Sequence, residues 1–152
     1  MNVRELMIKN VAFCAPDASL ESIAMQMWDK DCGSIPVVDG NGRPLGILTD
    51  RDIAMGCAMN HKALWEMRAT EITNNRPLYT CHSDDDVQSA LHTMAAHHVR
   101  RLPVIDAQGR LEGILSVDDI VVLAKPDGGL SKAQAISYTD ALDVLKSVSK
   151  HH

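Results

Sequence analysis

Pro36-Val37-Val38-Asp39-Gly40-Asn41-Gly42-Arg43-Pro44-Leu45-Gly46-Ile47-Leu48-Thr49-Asp50-Arg51-Asp52-Ile53 returns 67 residues later as Pro103-Val104-Ile105-Asp106-Ala107-Gln108-Gly109-Arg110-Leu111-Glu112-Gly113-Ile114-Leu115-Ser116-Val117-Asp118-Asp119-Ile120. Ten of these eighteen positions are identical, and the register never slips. A duplication at fixed spacing implies two similar supersecondary units able to pack on one another. A pseudo-twofold between them would create paired clefts, the first place to look for function.

The repeat extends upstream. Asp17-Ala18-Ser19-Leu20 aligns with Asp84-Asp85-Asp86-Val87. Leu20, Ile23, Ala24, Met27 and Trp28 then recur along one helical face, as do Val87, Ala90, Leu91, Met94 and Ala95. Ser19 and Asp86 stand where N-caps are expected. A short strand is expected before each helix, at Val11–Cys14 and Leu78–Cys81. Behind each helix, two apolar runs flank a turn, Asp39-Gly40-Asn41-Gly42 or Asp106-Ala107-Gln108-Gly109, which reads as a hairpin. A second helix starts near Thr49 or Ser116. The fold class is therefore α+β, two β-α-β-β-α repeats related by a pseudo-twofold, plus a C-terminal helix. The expected divisions are 1–60 for repeat 1, 61–70 for a bridge, 71–124 for repeat 2 and 125–152 for a tail. In the bridge, Trp65 and Met67 are candidates to pack on either copy. In the tail, 131–149 reads as a helix with Ala141, Leu142, Leu145 and Val148 on one face. It has two open roles, covering an edge or pairing with a partner.

Composition narrows the function. A chain of 152 residues is one compact domain, or two half-domains sharing a core. Aromatics are 3%, so aliphatic residues must fill the core. A net charge of −5 argues against a general phosphate-backbone binder, so a nucleic-acid partner is not expected. No apolar run nears the roughly 20 residues of a membrane span, and no signal pattern opens the chain. The expectation is a soluble cytoplasmic protein without a membrane partner. Cys14, Cys32, Cys57 and Cys81 form no CxxC motif. Cys14 and Cys81 are repeat equivalents and read as buried thiols. His97-His98 is a poor chelating pair, because adjacent helical side chains diverge by about 100°. No metal site or catalytic residue is assigned, and no enzyme activity is expected.

The hairpin-to-helix junctions carry the chemistry: Gly46-Ile47-Leu48-Thr49-Asp50-Arg51-Asp52 and Gly113-Ile114-Leu115-Ser116-Val117-Asp118-Asp119. A hydroxyl at a helix start stands beside free N–H groups and suits a phosphate. A carboxylate three residues later can accept two hydrogen bonds from a ribose diol. The same Thr/Ser-x-x-Asp spacing also resembles a capping box, whose acid only satisfies the helix end. Both readings stay open, and they are compatible.

The paired pattern resembles tandem cystathionine-β-synthase (CBS) domains, a Bateman module, over roughly residues 1–124. The resemblance implies a non-catalytic regulatory sensor. It would bind an adenosine-containing nucleotide, most often AMP, ADP or ATP, in the cleft between repeats. It also implies a homodimer, an effector protein not identifiable from sequence, and no required cofactor. Each cleft would draw on both repeats. The favoured second cleft would use Ser116, Asp118, Asp119, Ile114, Arg100 and Arg101, with Ala12, Cys32 and Gly33 opposite. The first would use Thr49, Arg51, Asp52, Ile47, Gly33 and Ser34, with Tyr79 and Val99 opposite. Arg100-Arg101 favours the second cleft, because Arg holds phosphate bidentately. Tyr79 would stack on a base or block it. The alternative function is an interaction scaffold with no ligand.

Overall fold

The structure, a computed structural model, describes residues 1–127 and 136–150. In chain order its elements are α1 (Val3–Leu6), β1 (Ile8–Lys9), α2 (Leu20–Asp29), β2 (Ser34–Val38), β3 (Pro44–Thr49), α3 (Asp50–Asn60), a 3-10 turn (Leu64–Glu66), α4 (Ala69–Thr73), β4 (Cys81–His82), α5 (Val87–His97), β5 (Arg101–Ile105), β6 (Leu111–Ser116), α6 (Val117–Leu123) and α7 (Tyr138–Val148). The mixed α+β fold with a C-terminal helix follows the expectation. The chain divides into two compact units, and they do not follow chain order. The first unit holds Asn10–Leu78 and Gly109–Leu111, while Met1–Lys9 belongs to the second with Tyr79–Gln108 and the residues from Glu112 on. The segment leading into copy one therefore packs on copy two, and the segment leading into copy two packs on copy one.

In the first unit β2 and β3 pair antiparallel, with Ser34 opposite Thr49 and Ile35 opposite Leu48. The turn is closed by Asp39, whose Oδ1 accepts from the N–H groups of Asn41 at 2.8 Å and Arg43 at 2.9 Å. Gly42 takes φ +81° there, a conformation that disfavours a Cβ. Ser19 Oγ caps α2 by accepting from the Ser22 N–H at 3.2 Å. Leu20, Ile23 and Met27 of α2 join Ile35, Val37, Leu48, Ile53 and Met67 in the core. α4 lies over β3, and Gly46 makes this possible: a Cβ there would stand 2.8 Å from Thr73 Cβ.

Two expectations for this unit are corrected. Val11–Cys14 forms no strand, only a parallel bridge between Cys14 and Val37. Asn10, at φ 55°, and the N–H-less Pro16 bracket the run and prevent longer pairing. Trp28 is not core but 82% exposed. It stands about 100° round the helix from Met27, at the stripe's edge in the last turn of α2. In the bridge, Met67 is buried and Trp65 is exposed.

The second unit holds a four-stranded sheet in the order β1-β6-β5-β4. β1 runs antiparallel to β6 with Ile8 opposite Ile114, and β4 runs parallel to β5 with Cys81 opposite Val104. The strand expected at Leu78–Cys81 thus starts only at Cys81. A Cβ on Gly113 would meet Ile8 O at 2.6 Å, so glycine lets β1 close on β6. Asp86 precedes α5 but makes no side-chain cap bond. Val87, Ala90, Leu91 and Met94 of α5 are buried with Leu102, Val104, Leu115 and Ile120.

In the tail, α7 packs on α5 and α6. Its buried face is Ala141, Val144 and Val148, with Leu145 partly buried and Leu142 exposed. The expected face is thus corrected at Leu142, which lies about 100° round from Ala141 and points away. Of the expected helix, 131–135 falls outside the described residues, as do His151 and His152.

Cys14 and Cys81 are free and buried. Burial pushes the Cys14 thiol up to about 11, and burial together with nearby Asp85 pushes Cys81 up to about 12. Among the described residues no helix is long and apolar enough to cross a membrane.

Candidate helix-start sites in the two repeats

Each junction is built the same way. A hairpin strand ends on a hydroxyl residue, and the next residue begins a helix. The residue just before the hairpin's first strand then touches the helix start. The Asp50 N–H donates to Gly33 O at 3.3 Å, and the Val117 N–H donates to Arg100 O at 3.0 Å. Gly33 and Arg100 are repeat equivalents, as are Asp50 and Val117.

Both junctions are complete capping boxes. Thr49 Oγ1 accepts from the Asp52 N–H at 3.1 Å, and Asp52 Oδ2 accepts from the Thr49 N–H at 3.0 Å. Ser116 Oγ accepts from the Asp119 N–H at 3.2 Å and donates to Asp119 Oδ2 at 2.5 Å, an oxygen that also takes the Ser116 N–H at 3.0 Å. In each Asp one oxygen is committed to the helix end. The capping reading is realised in both copies, and any ligand chemistry falls to the other oxygen.

That other oxygen differs between copies. Asp52 Oδ1 holds Arg76 at 2.7 Å. Burial alone would raise the Asp52 carboxyl, but the hydrogen bonds from Arg76 and Thr49 outweigh it and hold the group below the usual range. Among the described residues Asp119 Oδ1 has no partner. Lys9, the repeat equivalent of Arg76, forms no ion pair with it. Arg76 was missed from sequence. It lies 24 residues beyond Asp52, and only the packing of the 69–78 segment on copy one brings the two together.

The remaining sequence-derived residues fall into two groups. In the second unit Ser116 and Ile114 are buried, and Arg101 is half-buried at the start of β5. The Arg101 guanidinium has no partner among the described residues. Exposed Arg100 stands 3.8 Å from Asp118 Oδ1. Val99 packs partly buried on the core, and Tyr79 stacks on His97 with ring centroids 3.7 Å apart. In the first unit Ile47 and Ser34 are half-buried on the hairpin, and Arg51 is exposed. Ala12 is half-buried, and Cys32 with Gly33 lies at the end of α2 beside Asp50. Among the described residues no group of His, Cys, Asp or Glu is arranged to hold a metal ion.

The comparisons agree with this architecture. The CBS domain family model matches residues 3–57 and 69–125. An uncharacterized protein of Bacillus subtilis is 33% identical over 120 residues, which are 78% of this chain and 78% of that protein. An uncharacterized protein of Methanopyrus kandleri is 31% identical over 80% of this chain, and the match spans 61% of its own length. A solved CBS domain pair in complex with 5'-methylthioadenosine and S-adenosyl-L-methionine is 27% identical, with a TM-score of 0.66. It covers 81% of this chain and 94% of that one.

Proposed function

This chain belongs to the CBS domain family, and from that premise we propose that it is a non-catalytic regulatory module that binds an adenosine-containing nucleotide at the copy-two junction. The observation that carries the reading is the open Asp119 Oδ1 in a unit that also holds an unpaired Arg101. The carboxylate oxygen accepts a ribose hydroxyl, and the guanidinium takes a phosphate. Ser116 and Ile114 flank Asp119 on the same strand end. The solved pair with adenosyl ligands supports the ligand class.

The charges favour a monophosphate. Asp118 already draws Arg100, Arg101 is unpaired among the described residues, and a second or third phosphate would face Asp118. AMP is therefore ranked above ADP and ATP. In copy one Arg76 already bonds Asp52 Oδ1, the oxygen a ribose hydroxyl would use, so binding through Thr49, Asp52 and Arg51 is expected to be weaker. Regulation follows if the ligand prefers one of two states of the chain. A homodimer is proposed through the exposed apolar residues of α3 and α6, because Met55 and Val122 are exposed at equivalent positions. A cytoplasmic location suits four free cysteines.

A second reading, a ligand-free interaction scaffold, draws on the capping duty of both aspartates. Calorimetry against AMP, ADP, ATP, S-adenosylmethionine and NADH separates the two. Binding of an adenosine compound at one site per chain supports the sensor. Silence across the panel supports the scaffold.

A further inference from the structure

Histidine gathers where α5 meets α7. His92 and His98 stand where copy one has Met25 and Asp31. The last carbonyls of any helix lack partners within it. His98, in the left-handed conformation that ends α5, takes one of those of α7: its Nδ1 lies 3.0 Å from Ser147 O. His92, six residues earlier, lines an open groove of about 310 Å³ between α5 and α7 with Gln88, Asp140 and Asp143. Asp140 Oδ2 accepts from the Ser137 N–H at 3.1 Å and from Gln88 Nε2 at 3.3 Å. Asp143 forms no ion pair among the described residues. Beneath these contacts Val144 and Val148 are buried in one cluster with Leu91, Met94 and Ile120. The N-terminal end of α7 is fastened without histidine. The Lys125 N–H donates to Ile136 O at 2.9 Å, the Tyr138 N–H to Lys125 O at 2.9 Å, and Thr139 Oγ1 to Asp127 Oδ2 at 2.9 Å.

We propose that α7 is a proton-dependent clasp whose C-terminal half holds α5 more tightly when His98 and His92 are charged. Histidine is the side chain that ordinarily changes charge between about pH 5 and pH 8. A neutral imidazole carries a proton on Nδ1 in only one tautomer, whereas imidazolium always does, so charging secures the bond to Ser147 O. It also sets a cation at the negative end of the α7 dipole. A charged His92 gains Asp143 and Asp140 across the groove. Lys146 and Lys150, on and just beyond α7, oppose a charged His98, as does Arg100 two residues after it. Arg100 is drawn to Asp118, and Asp119, the other acid of α6, is bonded to the Ser116 cap. His97, the remaining ionisable residue of α5, stacks on Tyr79. The seated state takes up protons, so seating tightens as pH falls and loosens as pH rises through the histidine range.

The test is hydrogen exchange of the full chain near pH 6 and near pH 8, corrected for the chemical exchange rate. It is read at residues 145–148 relative to residues 91–94 of α5, which removes any change in global stability. Relative protection of α7 should fall about two- to fivefold from the lower pH to the higher. His92→Gln with His98→Gln should abolish that change, and His97→Gln should preserve it. Protection indifferent to pH in the wild-type chain overturns the proposal. So does a pH response that survives the double variant or that His97→Gln removes.

Discussion

Replacing Asp52 and Asp119 separately by Ala should weaken both helix starts, but only the Asp119 variant should lose ligand affinity. Asp52→Ala removes the bond from the Thr49 N–H and the pair with Arg76. A hydrogen bond to a charged group contributes about 1.5–3 kcal/mol, and a partly exposed ion pair adds about 0.2–1 kcal/mol. Asp119→Ala removes the bonds from the Ser116 N–H and Oγ but no ion pair. Urea unfolding should therefore show both variants destabilised, Asp119→Ala by more, because it loses two charge-assisted bonds where Asp52→Ala loses one and a partly exposed pair. Calorimetry with AMP should separate them further. Asp119→Ala loses a charge-assisted bond to the ligand and weakens binding by about tenfold or more. Asp52→Ala should leave affinity nearly unchanged. Arg76→Ala adds a third arm: it frees Asp52 Oδ1, and the ligand count per chain should rise. The pH dependence carries a sign as well. Asp52 is held below its unfolded value, so its stabilisation is present above the ordinary carboxylate range and is lost as pH falls through the folded value. Arg76→Ala should flatten that acid limb. If Asp52→Ala abolishes AMP binding while Asp119→Ala is silent, the assignment to copy two is wrong.

Glycine substitutions test the strand contacts. Gly113→Ala sets a Cβ against the Ile8 carbonyl and should destabilise by about 1–3 kcal/mol, whereas Gly40, with nothing within 4 Å, should accept Ala almost neutrally in the same thermal melt. Gly46→Ala meets a side chain at 2.8 Å rather than backbone and should fall between the two. Alkylation by iodoacetamide at pH 8 should label Cys32 and Cys57 quickly and spare Cys14 and Cys81. Those two thiols stay protonated until pH approaches about 11 and about 12, and burial also shields them. Rapid labelling of either in the native protein would contradict its place in the core.

The amino-acid sequence by itself determined what rests on local chemistry and on the duplication. The repeat helices, the hairpins, the Asp39 turn and the hydroxyl-to-Asp capping boxes all use partners within a few residues, so spacing alone reveals them, whereas α1 and α4 were not read from it. The core faces of α2 and α5 followed from periodicity, apart from Trp28, because a stripe's edge depends on what lies over it. The tertiary structure alone decided the long-range matters. Only packing shows that Met1–Lys9 completes copy two and that 69–78 completes copy one. Both segments obey the same local rules whichever unit they join. That exchange delivers Arg76 to Asp52, while Lys9 leaves Asp119 without an ion pair, so two nearly identical motifs end up chemically unequal. The same holds for α7: its amphipathic face was legible, but seating it on α5 and α6 depends on contacts between segments far apart in the chain.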